Sequence, residues 1–244
     1  MKSVLWVARI VRKEYCMSEK DLMDQARESW KLAGNYVLNK TAVYPEHTKI
    51  QEFDLYKEKL VLEYGSGAGS DAYEYLRRGN SVILCDIVKE NLAQARQNLD
   101  YFGLCENAIF LHLKESYPLE LKDECVDLVN SHGVVHHIPD APEVVKEFYR
   151  VLKPGGFCYV MLYSEILGMH FAPQITPLMK AHPQIKSKEE AFCWLVDGFG
   201  TPYAIPYTEQ EGRKLLEDAG FEVLSTAVYN NDFFRTYKGV KNNA

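Results

Sequence analysis

Residues 61–69 read Val61-Leu62-Glu63-Tyr64-Gly65-Ser66-Gly67-Ala68-Gly69. An apolar run that breaks into alternate glycines, followed by a helical stretch from Asp71 to Arg78 closed by Gly79, is a strand, a tight turn and a helix. In such a turn the backbone approaches a ligand closely, and glycine supplies both the unusual dihedrals and the missing side chain. The spacing is G-x-G-x-G. Ser70 stands where a pyrophosphate-binding dinucleotide fingerprint has its third glycine.

Outward from this turn the pattern is an alternation. Val82 to Cys85 reads as the next strand and Lys89 to Phe102 as the next helix, stopped by Gly103. Ala108 to Leu113, Val126 to Asn130 and Phe157 to Leu162 are further strands, and Pro142 to Leu152 is a helix with proline in its first turn. Short apolar strands separated by helices require a parallel sheet covered on both faces. Downstream, residues 163–207 hold one helix, capped by Ser187 with Glu190 three residues on. Thr208 and Glu211 repeat that signature. The helix they open runs to Ala219-Gly220, and strands Phe221 to Val228 and Phe233 to Tyr237 flank the turn Asn230-Asn231-Asp232. So short a turn makes the last two strands antiparallel. Upstream, Leu22, Met23, Ala26, Trp30 and Ala33 recur at helical spacing, with Gly34 as a stop. The expected fold is α/β, a doubly wound, mostly parallel sheet of seven strands with an N-terminal helix and a helical lid insertion. The expected division is an arm and cap over 1–50, a cofactor-binding core over 51–162, a lid or substrate insertion over 163–207, and a helix with closing strands over 208–244.

Composition narrows the function. The 244 residues are 47% hydrophobic, and 28 Lys and Arg against 34 Asp and Glu leave a net charge of −6, without the cation excess that a phosphate backbone demands. Cys16, Cys85, Cys105, Cys125, Cys158 and Cys193 stand at wide spacing with no C-x-x-C pair, so free thiols in a reducing cytoplasm, and no metal, are expected. Val4 to Ala8 is apolar, but Arg9 and Arg12 interrupt it short of a membrane span and no cleavage site follows. The first sixteen residues read as a peripheral arm, or as sequence ahead of a start at Met17.

Asp86 ends the second strand 21 residues after Gly65, where a carboxylate can accept from both ribose hydroxyls of an adenosine. With Glu63 to Gly69, Cys85-Asp86-Ile87, Val126-Asp127-Leu128-Val129 leading to His136-His137-Ile138-Pro139-Asp140, Arg150-Val151-Leu152-Lys153-Pro154-Gly155-Gly156, and Leu216 to Phe221, the chain resembles the class I S-adenosylmethionine-dependent methyltransferases of the methyltransferase-11-like, small-molecule type. The resemblance implies a Rossmann-like fold with S-adenosylmethionine as cofactor and S-adenosylhomocysteine as product. It implies that Gly65, Ser66, Gly67 and Gly69 bend around the methionine part. Glu63, two residues before the first glycine, would place negative charge near a cationic or amino group. Asp86 would hold the ribose and Ile87 pack on adenine. Glu115-Ser116 stand where the family often has an Asp facing the adenine amino group, and the backbone around Asn130 to His132, with Ser131 between, would meet the methionine amine.

Between Ser131 and His137 lies the expected contact with the reacting group, and His136 or His137 is the candidate base, since imidazole titrates near neutrality. Ser131-His132-Gly133-Val134 contains no proline, unlike the Asn/Asp-Pro-Pro-aromatic tetrad of nucleobase amino-methyltransferases. Trp30, Tyr36, Tyr44, Tyr163, Tyr203 and Tyr207, outside the alternating core, are candidates for the acceptor pocket. A small-molecule methyl acceptor is expected, modified at O, N or C by a monomer or homodimer that binds neither nucleic acid nor membrane. The rival readings are a non-catalytic cofactor-binding module or partner subunit, and an NAD(P)-dependent oxidoreductase.

Overall fold

The computed structural model of the protein describes residues 44–198 and 202–243. The helix expected over 18–33, with Trp30, and also Tyr36 and Cys16, lie outside the described residues. Helix α1 (Pro45–Ile50) leads into β1 (Leu60–Tyr64), α2 (Ser70–Leu76), β2 (Ser81–Asp86), α3 (Lys89–Tyr101) and β3 (Ala108–His112). Then follow β4 (Val126–His132), α4 (Ala141–Val151) and β5 (Leu152–Tyr163). Helices α5 (Glu165–Ala181) and α6 (Lys188–Asp197) precede α7 (Glu209–Glu217), β6 (Glu222–Tyr229) and β7 (Phe234–Val240).

The seven strands form one sheet in the order β3-β2-β1-β4-β5-β7-β6, with β7 antiparallel to both its neighbours and the remaining pairs parallel. The doubly wound fold expected from the alternation is therefore the observed one. Alternation along each strand explains why both faces are buried. Leu62, Ile83, Val129 and Val160 pack with Val144, Val145 and Phe148 of α4 and Leu216 of α7 on one face. Val61, Val82, Leu84 and Leu128 pack with Ala72 and Tyr75 of α2 and Ala95 and Leu99 of α3 on the other. Strand order reverses between β1 and β4, and in open α/β sheets ligands bind outside the carboxyl ends of the strands at that reversal.

The Thr208 capping box closes with both reciprocal hydrogen bonds, and the Ser187 hydroxyl accepts from the Glu190 N–H at 3.0 Å. Two elements differ from expectation. Strand β5 starts at Leu152, because Val126 pairs with Leu152 and Leu128 with Phe157, so residues 153–156 bulge out of the ladder. Residues 163–207 hold two helices, α5 as well as α6. Pro173 and Pro177 lie inside α5 and hide it from a propensity reading, since each lacks the N–H of the helical ladder. Its apolar face offsets that loss: Leu167 and Ile175 pack with Tyr163 of β5 and with Ala191, Phe192 and Cys193 of α6. Among the described residues no helix is long and apolar enough to cross a membrane.

Candidate active site

The carboxyl end of β1 turns sharply because the N–H groups of Gly65 and Ser66 both donate to the Cys85 carbonyl, at 2.9 and 3.0 Å, and Gly69 N–H closes the turn on the Ser66 carbonyl at 2.9 Å. Gly65, Gly67 and Gly69 have φ of 73°, 51° and 82°, in the left-handed region open to glycine. They serve different ends. A β-carbon on Gly65 would lie 2.3 Å from Val134 Cγ2, and one on Gly69 would lie 3.2 Å from the Ala95 β-carbon of α3. At Gly67 no described residue lies within 4 Å of such a β-carbon, so among the described residues the turn presents bare backbone to open space there.

Asp86, at the end of β2, faces this loop. Its Oδ2 accepts from Gly67 N–H and its Oδ1 from Val88 N–H, both at 2.8 Å, while Asn91 Nδ2 stands 3.5 Å from Oδ1. Burial pushes its carboxyl above the ordinary range against the pull of these donors. Glu63, also buried, sits between Leu84 of β2 and Asn130 of β4 in register. The hydroxyls of Ser66 and Ser131 and the Asn130 Oδ1 are buried with no hydrogen-bond partner among the described residues, so the loop carries polar atoms suited to a polar ligand. Ser116 is buried, and its carbonyl accepts from the Tyr64 hydroxyl at 2.9 Å; Glu115 is exposed. The Ile87 carbonyl stands 3.2 Å from His112 Nε2.

A buried polar cluster adjoins the loop, and sequence reasoning passed over most of it. Asp71, in the first turn of α2, is 1% exposed and takes His47 Nε2 on one oxygen at 2.9 Å and Asn130 Nδ2 on the other at 3.0 Å. The His132 ring lies 4.2 Å from that of His47, and its Nε2 pairs with the Tyr229 hydroxyl. Tyr44 packs edge-on against Tyr229. Asp71 stands two residues after Gly69, a usable signal, whereas nothing local marks His47 or Tyr229.

The two histidines expected as bases go elsewhere. His136 is fully buried with its ring 3.7 Å from that of Tyr163, and burial pushes its imidazole well below the ordinary value. His137 turns to the lid, with Nδ1 donating to the Tyr203 carbonyl at 2.8 Å. Of the residues expected to line an acceptor pocket, Tyr163, Tyr203 and Tyr207 are all buried where lid and sheet pack, and Tyr207 N–H donates to the Tyr163 carbonyl at 2.8 Å. Their rings pack into the core here, and among the described candidates Tyr44 stands by the polar cluster.

Residues 62–160 match the family described as "Methyltransferase domain". Over this stretch the chain is similar to methyltransferase domains. The matched residues span the glycine turn, Asp86 and the end of β4. The tRNA 5-carboxymethoxyuridine methyltransferase of Escherichia coli strain K12 is 32% identical over 104 residues, which are 43% of this chain and 40% of that protein. The arsenite methyltransferase of Aquipseudomonas alcaligenes is 39% identical over 108 residues, 41% of this chain and 31% of its own. The chain thus spans less than half the length of these curated relatives, within its methyltransferase domain. In fold it is similar to the Burkholderia thailandensis 1,6-didemethyltoxoflavin-N1-methyltransferase, at TM-score 0.68 and 16% identity over 95% of this chain and 93% of that one.

Proposed function

We propose that the protein transfers a methyl group from S-adenosylmethionine to O, N or C of a small-molecule acceptor. The observation that carries the reading is the Gly67 turn: open backbone at φ 51° beside a buried Asp86 carboxylate that already accepts the Gly67 N–H. Bound S-adenosylmethionine would supply an activated methyl group on a sulfonium sulfur. Asp86 would accept from the ribose hydroxyls, Ile87 would pack on adenine, and Glu115 or Ser116 would meet its amino group. Gly65 to Gly69, Glu63 and the backbone of Ser131 and His132 would hold the methionine end. Orienting an acceptor in line with the methyl can lower the barrier by about 7–11 kcal/mol.

For the proton that an O or N acceptor must lose we assign His132 in place of His136 and His137. Its ring stands against His47, whose partner Asp71 opens the helix after the glycine turn, and Tyr229 orients its Nε2. The segment 163–207 would act as the cover that excludes water.

A small acceptor is supported by the net charge of −6, which disfavours docking on a phosphate backbone. The relative named for tRNA marks the competing acceptor class. The test is label transfer from S-adenosylmethionine into separate small-molecule and tRNA fractions of a cell extract, beside calorimetry with S-adenosylhomocysteine. Product in the small-molecule fraction is expected. Label confined to tRNA would overturn the acceptor class, and binding without any label transfer would favour a non-catalytic module.

A further inference from the structure

Away from the strand ends, three ligand-bearing side chains converge beneath the lid. His137 comes from the turn after β4, and Cys193 and Asp197 lie one helical turn apart on α6. One ligand atom from each lies within 4.8 Å of the others. Cys193 Sγ is 3.5 Å from Asp197 Oδ2 and 3.7 Å from His137 Nδ1, and His137 Nε2 is 3.9 Å from the same Oδ2.

We propose that His137 Nε2, Cys193 Sγ and Asp197 Oδ2 bind a thiophilic divalent metal ion, zinc foremost, which fastens the lid helix α6 to the core. The surroundings of the ligands carry the argument. His137 donates its Nδ1 proton to the Tyr203 carbonyl at 2.8 Å, which selects the tautomer with its lone pair on Nε2. The Tyr163 hydroxyl donates to Asp197 Oδ1, which orients the carboxylate and leaves Oδ2 toward the thiol. Metal-bound histidines and carboxylates are held by outer partners of this kind.

The dimensions also agree. Zinc bonds of about 2.0–2.3 Å place tetrahedral ligand atoms roughly 3.3–3.6 Å apart, so the 3.5 Å sulfur–carboxylate spacing already fits and the 3.9 Å spacing from Nε2 to the carboxylate is only a few tenths of an ångström wider. Cysteine, histidine and carboxylate together are the donor set zinc prefers. Charge balances as well: the ion displaces the thiol proton to solvent, and the dication then faces one thiolate, one carboxylate and a neutral imidazole. Cys193 is 0% exposed, while the His137 and Asp197 side chains are 10% and 13% exposed, so the site is enclosed yet reachable from one side. With three ligands among the described residues, a fourth position is left for water or another donor.

The test strips the full-length protein with a chelator and titrates it with cobalt(II), reading the thiolate-to-cobalt charge-transfer band, and then with zinc against a chromophoric chelator. One equivalent with a charge-transfer band is expected, with affinity falling as the pH drops because the thiol must lose its proton. Cys193→Ser should abolish the band. Tyr163→Phe, which removes only the outer partner of Asp197, should weaken zinc binding about 10- to 100-fold. If Cys193→Ser does not fold, Asp197→Asn takes its place and should weaken binding at least tenfold. No charge-transfer band with the wild-type protein, a band that survives Cys193→Ser, or zinc affinity indifferent to Asp197→Asn and Tyr163→Phe would each overturn the site.

Discussion

The backbone N–H of Gly67 donates to Asp86 Oδ2 at 2.8 Å, joining the glycine turn after β1 to the end of β2. The carboxylate proposed to hold a ribose is therefore also a strut of the loop proposed to hold the methionine. Asp86→Asn keeps an oxygen acceptor but removes the charge. It should fold and bind S-adenosylhomocysteine at least tenfold more weakly by calorimetry. Unchanged affinity would remove Asp86 from the site.

Gly65 and Gly67 should separate folding from binding. Gly65→Ala puts a methyl 2.3 Å from Val134 Cγ2, so overpacking of about 1–3 kcal/mol adds to backbone strain. Gly67→Ala meets no atom within 4 Å and suffers only the left-handed penalty of about 1–2 kcal/mol. Urea unfolding should rank Gly65→Ala as the less stable. Gly67→Ala should fold yet lose most S-adenosylhomocysteine affinity; retained affinity would mean that the open space over Gly67 is not the ligand's.

His132→Gln should lower kcat for an O or N acceptor by about 10²- to 10⁴-fold, the range of a lost general base. Affinity for S-adenosylhomocysteine should stay within a few-fold, because the backbone contacts remain. Tyr229→Phe should lower kcat less and shift the acidic limb of its pH profile. A full-rate His132→Gln enzyme would remove His132 from the proton transfer.

Glu147 accepts from Leu119 N–H and pairs with Arg150 Nη2, both at 2.7 Å, tying the loop ahead of β4 to α4. The Arg150 hydrogen bond holds its carboxyl below the ordinary range. Below about pH 4.3 the unfolded chain takes up the proton first, so this stabilisation is present above that pH and is lost as pH falls through the lowered value. Glu147→Gln should be less stable than wild type by about 1 kcal/mol at neutral pH. The two urea curves should converge in acid, and a constant gap would assign the difference to packing instead.

Much of the fold was legible because its signals are local. Glycines between an apolar run and a helical run, Thr208 opposite Glu211, and Asn230-Asn231-Asp232 each act within a few residues, and each stands where its pattern placed it. Helix α5 was not legible, because Pro173 and Pro177 argue against it locally while contacts with α6 and β5 sustain it.

By itself, then, the sequence determined the doubly wound sheet and the glycine turn facing Asp86, since strand, turn and helix follow from neighbouring residues and parallel strands must cross over. Only the tertiary structure decided which side chains meet. His47, Asp71 and Asn130 come from α1, α2 and β4, and His137 lies 56 residues from Cys193. No local spacing encodes these meetings, because they depend on strand order and on how the lid packs over the sheet. The same packing enclosed His136, held His137 to the Tyr203 carbonyl and set His132 against His47.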